Sequence, residues 1–113
     1  MAIGWYELLK SSNKKVYFVL KAANAEVILT SEMYESRASA ENGIHSVQKN
    51  SPLDERYESK TTSDGKYFFN LKAANHQVIG SGQRYATEQS RDKGIVSVKT
   101  NGPTTTIKDQ TKS

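Results

Sequence analysis

The chain has 113 residues, of which 35% are hydrophobic and 25% are charged, and its formal net charge at pH 7 is +4. It contains no cysteine, so disulfide frameworks, thiolate nucleophiles and thiolate metal sites are excluded. The N-terminal residues lack the charged start and apolar run of a signal peptide, and no segment approaches the roughly 20 apolar residues of a membrane span. We therefore expect a cytoplasmic protein with no membrane partner, whose small excess of basic residues favours anionic partners only weakly.

The chain is a tandem duplication. Residues 20–24 read Leu-Lys-Ala-Ala-Asn and recur unchanged at 71–75, and the same offset of 51 residues relates Tyr6 to Tyr57 without a gap. Each half alone is close to the size at which an isolated chain struggles to bury enough apolar surface, so we expect the repeats to share a core. The predicted boundaries are 1–113 for a single domain, about 4–54 and 55–109 for its two repeats, and 110–113 for a frayed C-terminus.

Three strands are predicted at the start of each repeat. In the second of them apolar residues alternate with their neighbours, as Val16, Phe18 and Leu20 do, and a period of two puts each set on its own face of a sheet. Asn24 and Asn75 suit the hairpin turns that follow, because asparagine tolerates the left-handed conformation that such turns require. The predicted strands span 5–10, about 16–22 and 26–31, then 56–60, about 67–73 and 77–81, with a short terminal strand within 104–109.

A helix is predicted after the third strand of each repeat. Ser36 and Thr87 suit the N-cap position, since their hydroxyls can accept hydrogen bonds from N–H groups of the first turn. Gly43 and Gly94 recur within an apolar stripe of the helix and predict close packing against the sheet, because a helical glycine otherwise costs about 1 kcal/mol. Gly102 suits the C′ position that ends the second helix.

Two motifs occur once in each repeat: the Leu-Lys-Ala-Ala-Asn hairpins and the Gly-Ile-x-Ser-Val helix segments at 43–47 and 94–98. With these motifs the sequence resembles the YegP-like family of uncharacterised small bacterial proteins, and the resemblance covers nearly the whole chain. It implies an α+β fold in which two tandem β-β-β-α repeats form one pseudo-symmetric domain, with antiparallel sheets covered by two helices. It implies no activity, substrate or functional residue. Family hairpins commonly read Asn-Gly at the turn, whereas this chain has Ala25 and His76 at the second position.

No catalytic or metal site is predicted. The two histidines, His45 and His76, are too few for a histidine-rich metal site, and Glu41 is interpreted as a solvated neighbour of His45 on a helix surface. The glycines before Arg84 faintly resemble a phosphate-binding loop, but the pattern is incomplete, so a strand-to-helix connection is the preferred interpretation. We therefore expect a protein without catalytic activity, metal or cofactor.

The second strands predict a candidate binding face. If Phe18 and its equivalent face the helices, Tyr17 and Lys21 of the first repeat and Phe68 and Lys72 of the second lie on the opposite side of the sheet. Aromatic rings can stack on nucleic-acid bases while lysines contact phosphates. The same side could instead be buried by the other repeat or by another subunit.

The favoured function is that of a small non-catalytic interaction protein. It would associate with a protein partner, or with further copies of itself, through a sheet face or an exposed edge strand. Nucleic-acid binding on the basic and aromatic sheet face is the alternative, because lysines and stacked rings are the components of a single-strand platform.

Overall fold

The computed structural model describes residues 4–111. They form one seven-stranded sheet with both helices packed against the same face. In chain order the elements are β1 (Trp5–Lys10), β2 (Val16–Lys21), β3 (Val27–Ser31), α1 (Arg37–Asn50), a 3₁₀ turn (Asp54–Arg56), β4 (Tyr57–Thr61), β5 (Tyr67–Lys72), β6 (Val78–Ser81), α2 (Glu88–Asn101) and β7 (Ile107–Asp109). Neither helix among the described residues has the length and apolar character needed to cross a membrane. The predicted α+β fold of two tandem β-β-β-α repeats is confirmed.

The two repeats meet in the middle of a single sheet. The strand order is β4-β5-β6-β3-β2-β1-β7, and antiparallel pairing of β3 with β6, through Thr30 with Ser81 and Ser31 with Gly80, joins the repeats. A pseudo-twofold axis therefore lies between β3 and β6. The pairings are antiparallel except that of β7 with β1, which is parallel. The antiparallel sheets implied by the family resemblance are thus one continuous sheet.

The core lies between the sheet and the helices and contains side chains from both repeats. Phe18 and Leu20 of β2 and Phe69 and Leu71 of β5 are fully buried in it, as the period of two predicts. α1 contacts β5 and β6 of the second repeat as well as its own β1 and β2, and α2 contacts β2 and β3 of the first repeat as well as its own β5. Each repeat therefore completes the core of the other.

One tyrosine hydroxyl links the C-terminal end of each helix to the first strand of the other repeat. Tyr6 Oη on β1 donates to the carbonyl of Gly102 after α2, and Tyr57 Oη on β4 donates to the carbonyl of Ser51 after α1, both at 2.6 Å. Burial raises the pKa of both tyrosines above the ordinary value, because the ionised side chain would lose its hydration. Since Tyr6 and Tyr57 are equivalent in the duplication, the same hydrogen bond links the repeats twice.

The four hairpin turns of the described chain each place one residue in the left-handed region. These residues are Lys14 (φ 67°), Ala25 (φ 70°), Gly65 (φ 83°) and His76 (φ 69°). In the second turn the Ala25 N–H donates to the Ala22 carbonyl at 2.9 Å, while Asn24 Oδ1 accepts from the Glu26 N–H at 3.1 Å. The prediction that the asparagine itself takes the left-handed conformation is wrong, because its side chain bonds to the turn and the following residue takes that conformation instead.

Ser36 and Thr87 cap the two helices as predicted. Each hydroxyl accepts a hydrogen bond at 3.1 Å from the backbone N–H three residues later. The close approach to the sheet predicted for Gly43 is also confirmed, because a Cβ there would lie 2.9 Å from Phe18 Cε2 on β2 as well as against Tyr34. At Gly94 the close neighbour is Tyr85, between β6 and α2.

The glycine that ends α2 serves close packing rather than a left-handed turn. Gly102 has φ −55°, so it does not take the left-handed conformation expected of a C′ glycine. A Cβ at this position would lie 2.5 Å from the Cβ of Ser51, which is fully buried at the equivalent end of α1. The two helix ends therefore touch each other near the pseudo-twofold axis.

The C-terminal strand lies at the outer edge of the sheet. β7 pairs in parallel with β1, with Asp109 opposite Leu8. It is the short terminal strand predicted within 104–109. In the segment predicted to fray, the Gln110 N–H donates to the Leu8 carbonyl and the Thr111 N–H donates to Asp109 Oδ1, both at 2.9 Å. Residues 112–113, the rest of that segment, lie outside the described residues.

Candidate functional site

The side of the sheet turned away from the helices, which we call the open face, is covered by no described helix or strand. One row of directly paired residues crosses it from edge to edge. In sheet order the row is Glu58, Asn70, Ser81, Thr30, Val19, Glu7 and Lys108. Residues two positions away along each strand share this face. The centre of the open face is therefore polar apart from Val19.

All four residues of the predicted binding face lie on the open face. Tyr17 and Lys21 flank Val19 on β2, and Phe68 and Lys72 hold the equivalent positions on β5. Because β3 and β6 separate these strands, the two pairs are about 14 Å apart at the usual strand spacing. β2 and β5 run in opposite directions, so each ring shares its end of the sheet with the lysine of the other repeat. The structure thus places the four residues on one face without bringing them into a single cluster.

Both lysines of this set are paired with carboxylates. Lys21 Nζ lies 3.2 Å from Glu7 Oε2, and Lys72 Nζ lies 3.1 Å from Glu58 Oε1. The pKa of Glu7 is lowered chiefly by a hydrogen bond that Trp5 Nε1 donates at 2.8 Å, with a further contribution from Lys21. The pKa of Glu58 is lowered chiefly by the hydrogen bond from Lys72. The positive charges of the two lysines predicted as phosphate contacts are therefore balanced by carboxylates of the same chain.

Cationic side chains lie over two aromatic rings of the open face. The Arg84 guanidinium carbon lies 5.5 Å from the centroid of the Phe68 ring, and Lys108 Nζ lies 4.2 Å from that of the Trp5 ring. Sequence reasoning missed Trp5, although the period of two that links it to Glu7 could have found it. Lys108 reaches this face only through the pairing of β7 with β1, which no local pattern indicates.

The glycines of the faint phosphate-loop motif have packing roles. A Cβ at Gly80 would lie 2.8 Å from Leu29 Cδ2, and one at Gly82 would lie 2.5 Å from Phe69 Cζ. Arg84, the phosphate ligand that such a loop would use, lies against Phe68 instead. Close packing therefore accounts for Gly80, which lies within β6, and for Gly82, which follows that strand.

Neither histidine belongs to a cluster of metal-ligating side chains. Glu41 is paired with Arg37 Nε at 3.6 Å rather than with His45, and His76 occupies the left-handed position of a hairpin turn. Among residues 4–111, no three histidine, aspartate or glutamate side chains lie close enough together to hold a metal ion.

A cavity of about 460 Å³ lies between α1 and the hairpin that joins β5 to β6. Its lining combines the polar side chains of Tyr34, Asn42 and Gln77 with Ile79 and the carboxylate of Glu32. Among the lining residues Glu32 and Tyr34 are titratable, and there is no histidine, lysine or arginine.

The first strands of the two repeats differ in what covers their outer sides. β1 is flanked by β7, whereas β4, its equivalent, is the outermost strand of the described sheet. The Thr62 N–H donates to the Lys66 carbonyl at 2.8 Å on the β5 side. Because backbone groups alternate in direction along an antiparallel strand, those of Ser59 and Thr61 point away from β5. We call this outer side of β4, from Tyr57 to Thr61, the free edge.

Comparison with known proteins gives close matches over almost the full length. A family profile described as a domain of unknown function, DUF1508, matches residues 11–58 and 62–109. The UPF0339 protein YegP of Escherichia coli K12 is 65% identical over 108 residues, which are 96% of this chain and 98% of that protein. A UPF0339 protein of Shewanella oneidensis is 59% identical over 108 residues, with the same coverage of 96% and 98%. The solution NMR structure of yegP from E. coli, described as a protein of unknown function, has a TM-score of 0.94 at 63% identity and covers 100% of this chain and 97% of that one.

Proposed function

The chain belongs to the DUF1508 family, as its resemblance to the YegP-like proteins indicates, and we propose that it is a non-catalytic interaction protein that binds an extended polypeptide at the free edge of β4. Binding adds a strand to the sheet, so that the backbone of the partner continues the hydrogen-bond ladder beyond β4. Affinity comes from backbone hydrogen bonds, and specificity comes from the side chains that the added strand places beside Glu58 and Lys60.

The difference between the first strands of the two repeats, β1 and β4, supports this proposal. An uncovered strand presents a row of unpaired N–H and C=O groups that can template pairing with another chain. The chain covers β1 itself, as in the hydrogen bond from the Tyr6 N–H to the Thr106 carbonyl at 2.9 Å. No described strand does the same for β4, whose pairing with β5 is regular over all five residues and whose last three residues, 59–61, are exposed.

The free edge is favoured over the open face as the protein-binding surface. On the open face Lys21 and Lys72 already have carboxylate partners, and cations already lie over Trp5 and Phe68. A protein partner could bind these side chains only by displacing the contacts that they already make. The backbone groups of Ser59 on the free edge carry no such internal competitor, because they point away from β5.

Peptide selection tests this proposal directly. A random-peptide phage library is selected on the immobilised chain, and the selected peptides are synthesised and titrated into labelled protein while amide NMR shifts are followed. We expect the shifts to concentrate at 57–61, and we expect Ser59→Pro to abolish binding. Proline removes the outward N–H but no bond to β5, so an edge strand tolerates it.

Ser59→Ala is the matched control. It removes the same side chain but keeps the N–H, so the selected peptides should bind this variant about as well as the original chain. Strand addition at β4 would be contradicted by peptides that change the amide shifts of residues outside 57–61. It would also be contradicted by peptides whose affinity for Ser59→Pro equals that for the original chain. Circular dichroism of each variant confirms that the fold is kept.

Nucleic-acid binding on the open face is the second candidate function. Its support is that cationic side chains outnumber carboxylates there among the described residues, with Lys60, Lys108 and Arg84 in addition to the two paired lysines. We expect affinity for single-stranded RNA, if this function operates, to fall steeply with salt because bound phosphates release counterions. An amide NMR titration at low and near-physiological salt tests it. Absence of shifts around Tyr17, Lys21, Phe68 and Lys72 at low salt would remove this candidate.

A further inference from the structure

We propose that the strand bound by the free edge is β4 of a second copy of this chain, paired antiparallel about a twofold axis that passes through Ser59. This inference rests on the proposed function, since it names the partner of the same edge. The sequence of β4 supports this inference, because its charged residues lie opposite residues of the other sign when a second copy of β4 is placed antiparallel beside it.

The side chains of β4 match when two copies are paired in this register. Tyr57–Thr61 reads Tyr-Glu-Ser-Lys-Thr. With Ser59 on the axis, Glu58 of each copy lies opposite Lys60 of the other. Directly opposed residues of antiparallel strands share a face, with Cβ atoms about 4.5–5.5 Å apart. The pairing therefore forms two intermolecular Glu–Lys pairs, both on the open face, while the small side chain of Ser59 crosses the axis on the helix side.

The backbone groups suit the same register. The N–H and C=O groups of Ser59 point away from β5, so the two copies of Ser59 exchange a pair of hydrogen bonds at the axis. The Thr61 N–H of each copy then donates to the Tyr57 carbonyl of the other. The Tyr57 N–H is already engaged, because it donates to the Asp54 carbonyl of the 3₁₀ turn. The ladder therefore ends at Tyr57, and pairing is confined to the five residues of β4.

Other registers are opposed by charge or by the faces they join. A slip of two residues keeps the faces aligned but places Glu58 opposite Glu58, or Lys60 opposite Lys60, and like charges directly opposite each other are destabilising. A slip of one residue turns the open face of one copy toward the helix side of the other. The charge pattern of β4 therefore favours the register centred on Ser59.

Both charged side chains can reach the second copy without losing a strong internal contact. Lys60 Nζ lies 3.9 Å from Glu58 Oε1 of the same chain, at the limit of an ion pair, and the two side chains are 47% and 39% exposed. Glu58 is also bonded to Lys72 at 3.1 Å. In the paired state Glu58 keeps Lys72 and gains Lys60 of the other copy, so that each carboxylate lies between two ammonium groups.

Charge reversal with sedimentation analysis tests this inference on the full chain. We expect the unchanged protein to form a dimer whose population rises with concentration between micromolar and millimolar. Lys60→Glu and Glu58→Lys each turn both intermolecular pairs into repulsions. Each variant alone should therefore have a dimer dissociation constant at least about tenfold higher than that of the unchanged protein. An equimolar mixture of the two variants restores opposite charges at every contact and should recover the dimer. Lys93→Glu, an exposed change of equal charge on α2, should leave dimerisation unchanged.

The outcomes separate this inference from the proposed function. A chain that stays monomeric to millimolar concentration, or a mixture that fails to recover the dimer, overturns self-pairing. If selected peptides still bind and still depend on the Ser59 N–H, strand addition stands and its partner is another protein. If Ser59→Pro abolishes both dimer and peptide binding and the mixture recovers the dimer, both proposals are supported. Amide exchange of Ser59 and Thr61 that slows as concentration rises is a second readout expected only for pairing at this edge.

Discussion

The paired tyrosines offer a direct test of how the two repeats hold each other. Tyr6→Phe removes the hydroxyl that donates to the Gly102 carbonyl at 2.6 Å, where both residues are buried. The carbonyl then loses its partner in a site that water reaches poorly, and leaving a buried acceptor unsatisfied costs about 1–3 kcal/mol. Tyr57→Phe removes the equivalent bond to Ser51, but Tyr57 is only half-buried, so water can replace the hydroxyl and we expect a cost near 1 kcal/mol.

Urea unfolding followed by circular dichroism measures this difference. At an m-value of about 2 kcal/mol per M, a loss of about 2 kcal/mol for Tyr6→Phe lowers the midpoint by about 1 M. Tyr17→Phe is the control, because it removes a hydroxyl from a half-buried ring of the open face, outside the core, and should change stability by less than about 0.5 kcal/mol. A loss of that small size for Tyr6→Phe would refute the argument that this bond holds α2 to the first repeat.

Three further predictions concern ionisation, turn strain and packing. Because the folded state raises the pKa of Tyr6 and Tyr57, only the unfolded chain ionises these residues as pH rises above about 10. The free energy of unfolding should then fall by up to about 1.4 kcal/mol per pH unit for each tyrosine. Urea unfolding across pH should show this fall, and a smaller fall in the Tyr6→Phe variant. Ala25→Gly should raise the free energy of unfolding by about 0.5–1 kcal/mol, because it relieves a left-handed alanine, whereas Ala23→Gly in the same turn should not. Gly43→Ala should lower the melting temperature despite the better helix propensity of alanine, because overpacking against Tyr34 and Phe18 costs about 1–3 kcal/mol; a higher melting temperature would contradict this.

Local patterns of the sequence predict most of the elements. The alternation of Val16, Phe18 and Leu20 identifies the core side of β2 because a strand exposes alternate residues to opposite faces. Ser36 and Thr87 are identifiable as caps because the first turn of any helix has unpaired N–H groups. These are short-range effects, so the residues that decide them lie within a few positions of each other.

Other features depend on residues that are distant in sequence. Lys108 joins the open face only because β7 returns to β1, and the pairing of Lys21 with Glu7 depends on the register between β1 and β2. Gly102 looks like a helix-ending glycine, but its actual constraint is Ser51 at the other helix end. The four residues of the predicted binding face lie on one side of the sheet, as their alternation indicates, but the carboxylates paired with Lys21 and Lys72 could not be found from local patterns. Such contacts follow from tertiary packing, which no local pattern contains.

The difference between the two sheet edges also limits the size of the assembly. If β1 were as uncovered as β4, the edges of separate copies could join head to tail, and such heterologous contacts can extend into open filaments. β7 covers β1 with a strand of three residues, so β4, with five residues, is the longer of the two edge strands of the described sheet. An edge that pairs with its own copy uses the same surface on both partners, so the assembly closes at two chains. We therefore expect variants that weaken β7, such as Lys108→Pro, which removes an N–H on the β1 side of β7, to form species larger than a dimer in sedimentation analysis. If this variant stays folded and forms nothing larger than the original chain, β7 has no such role.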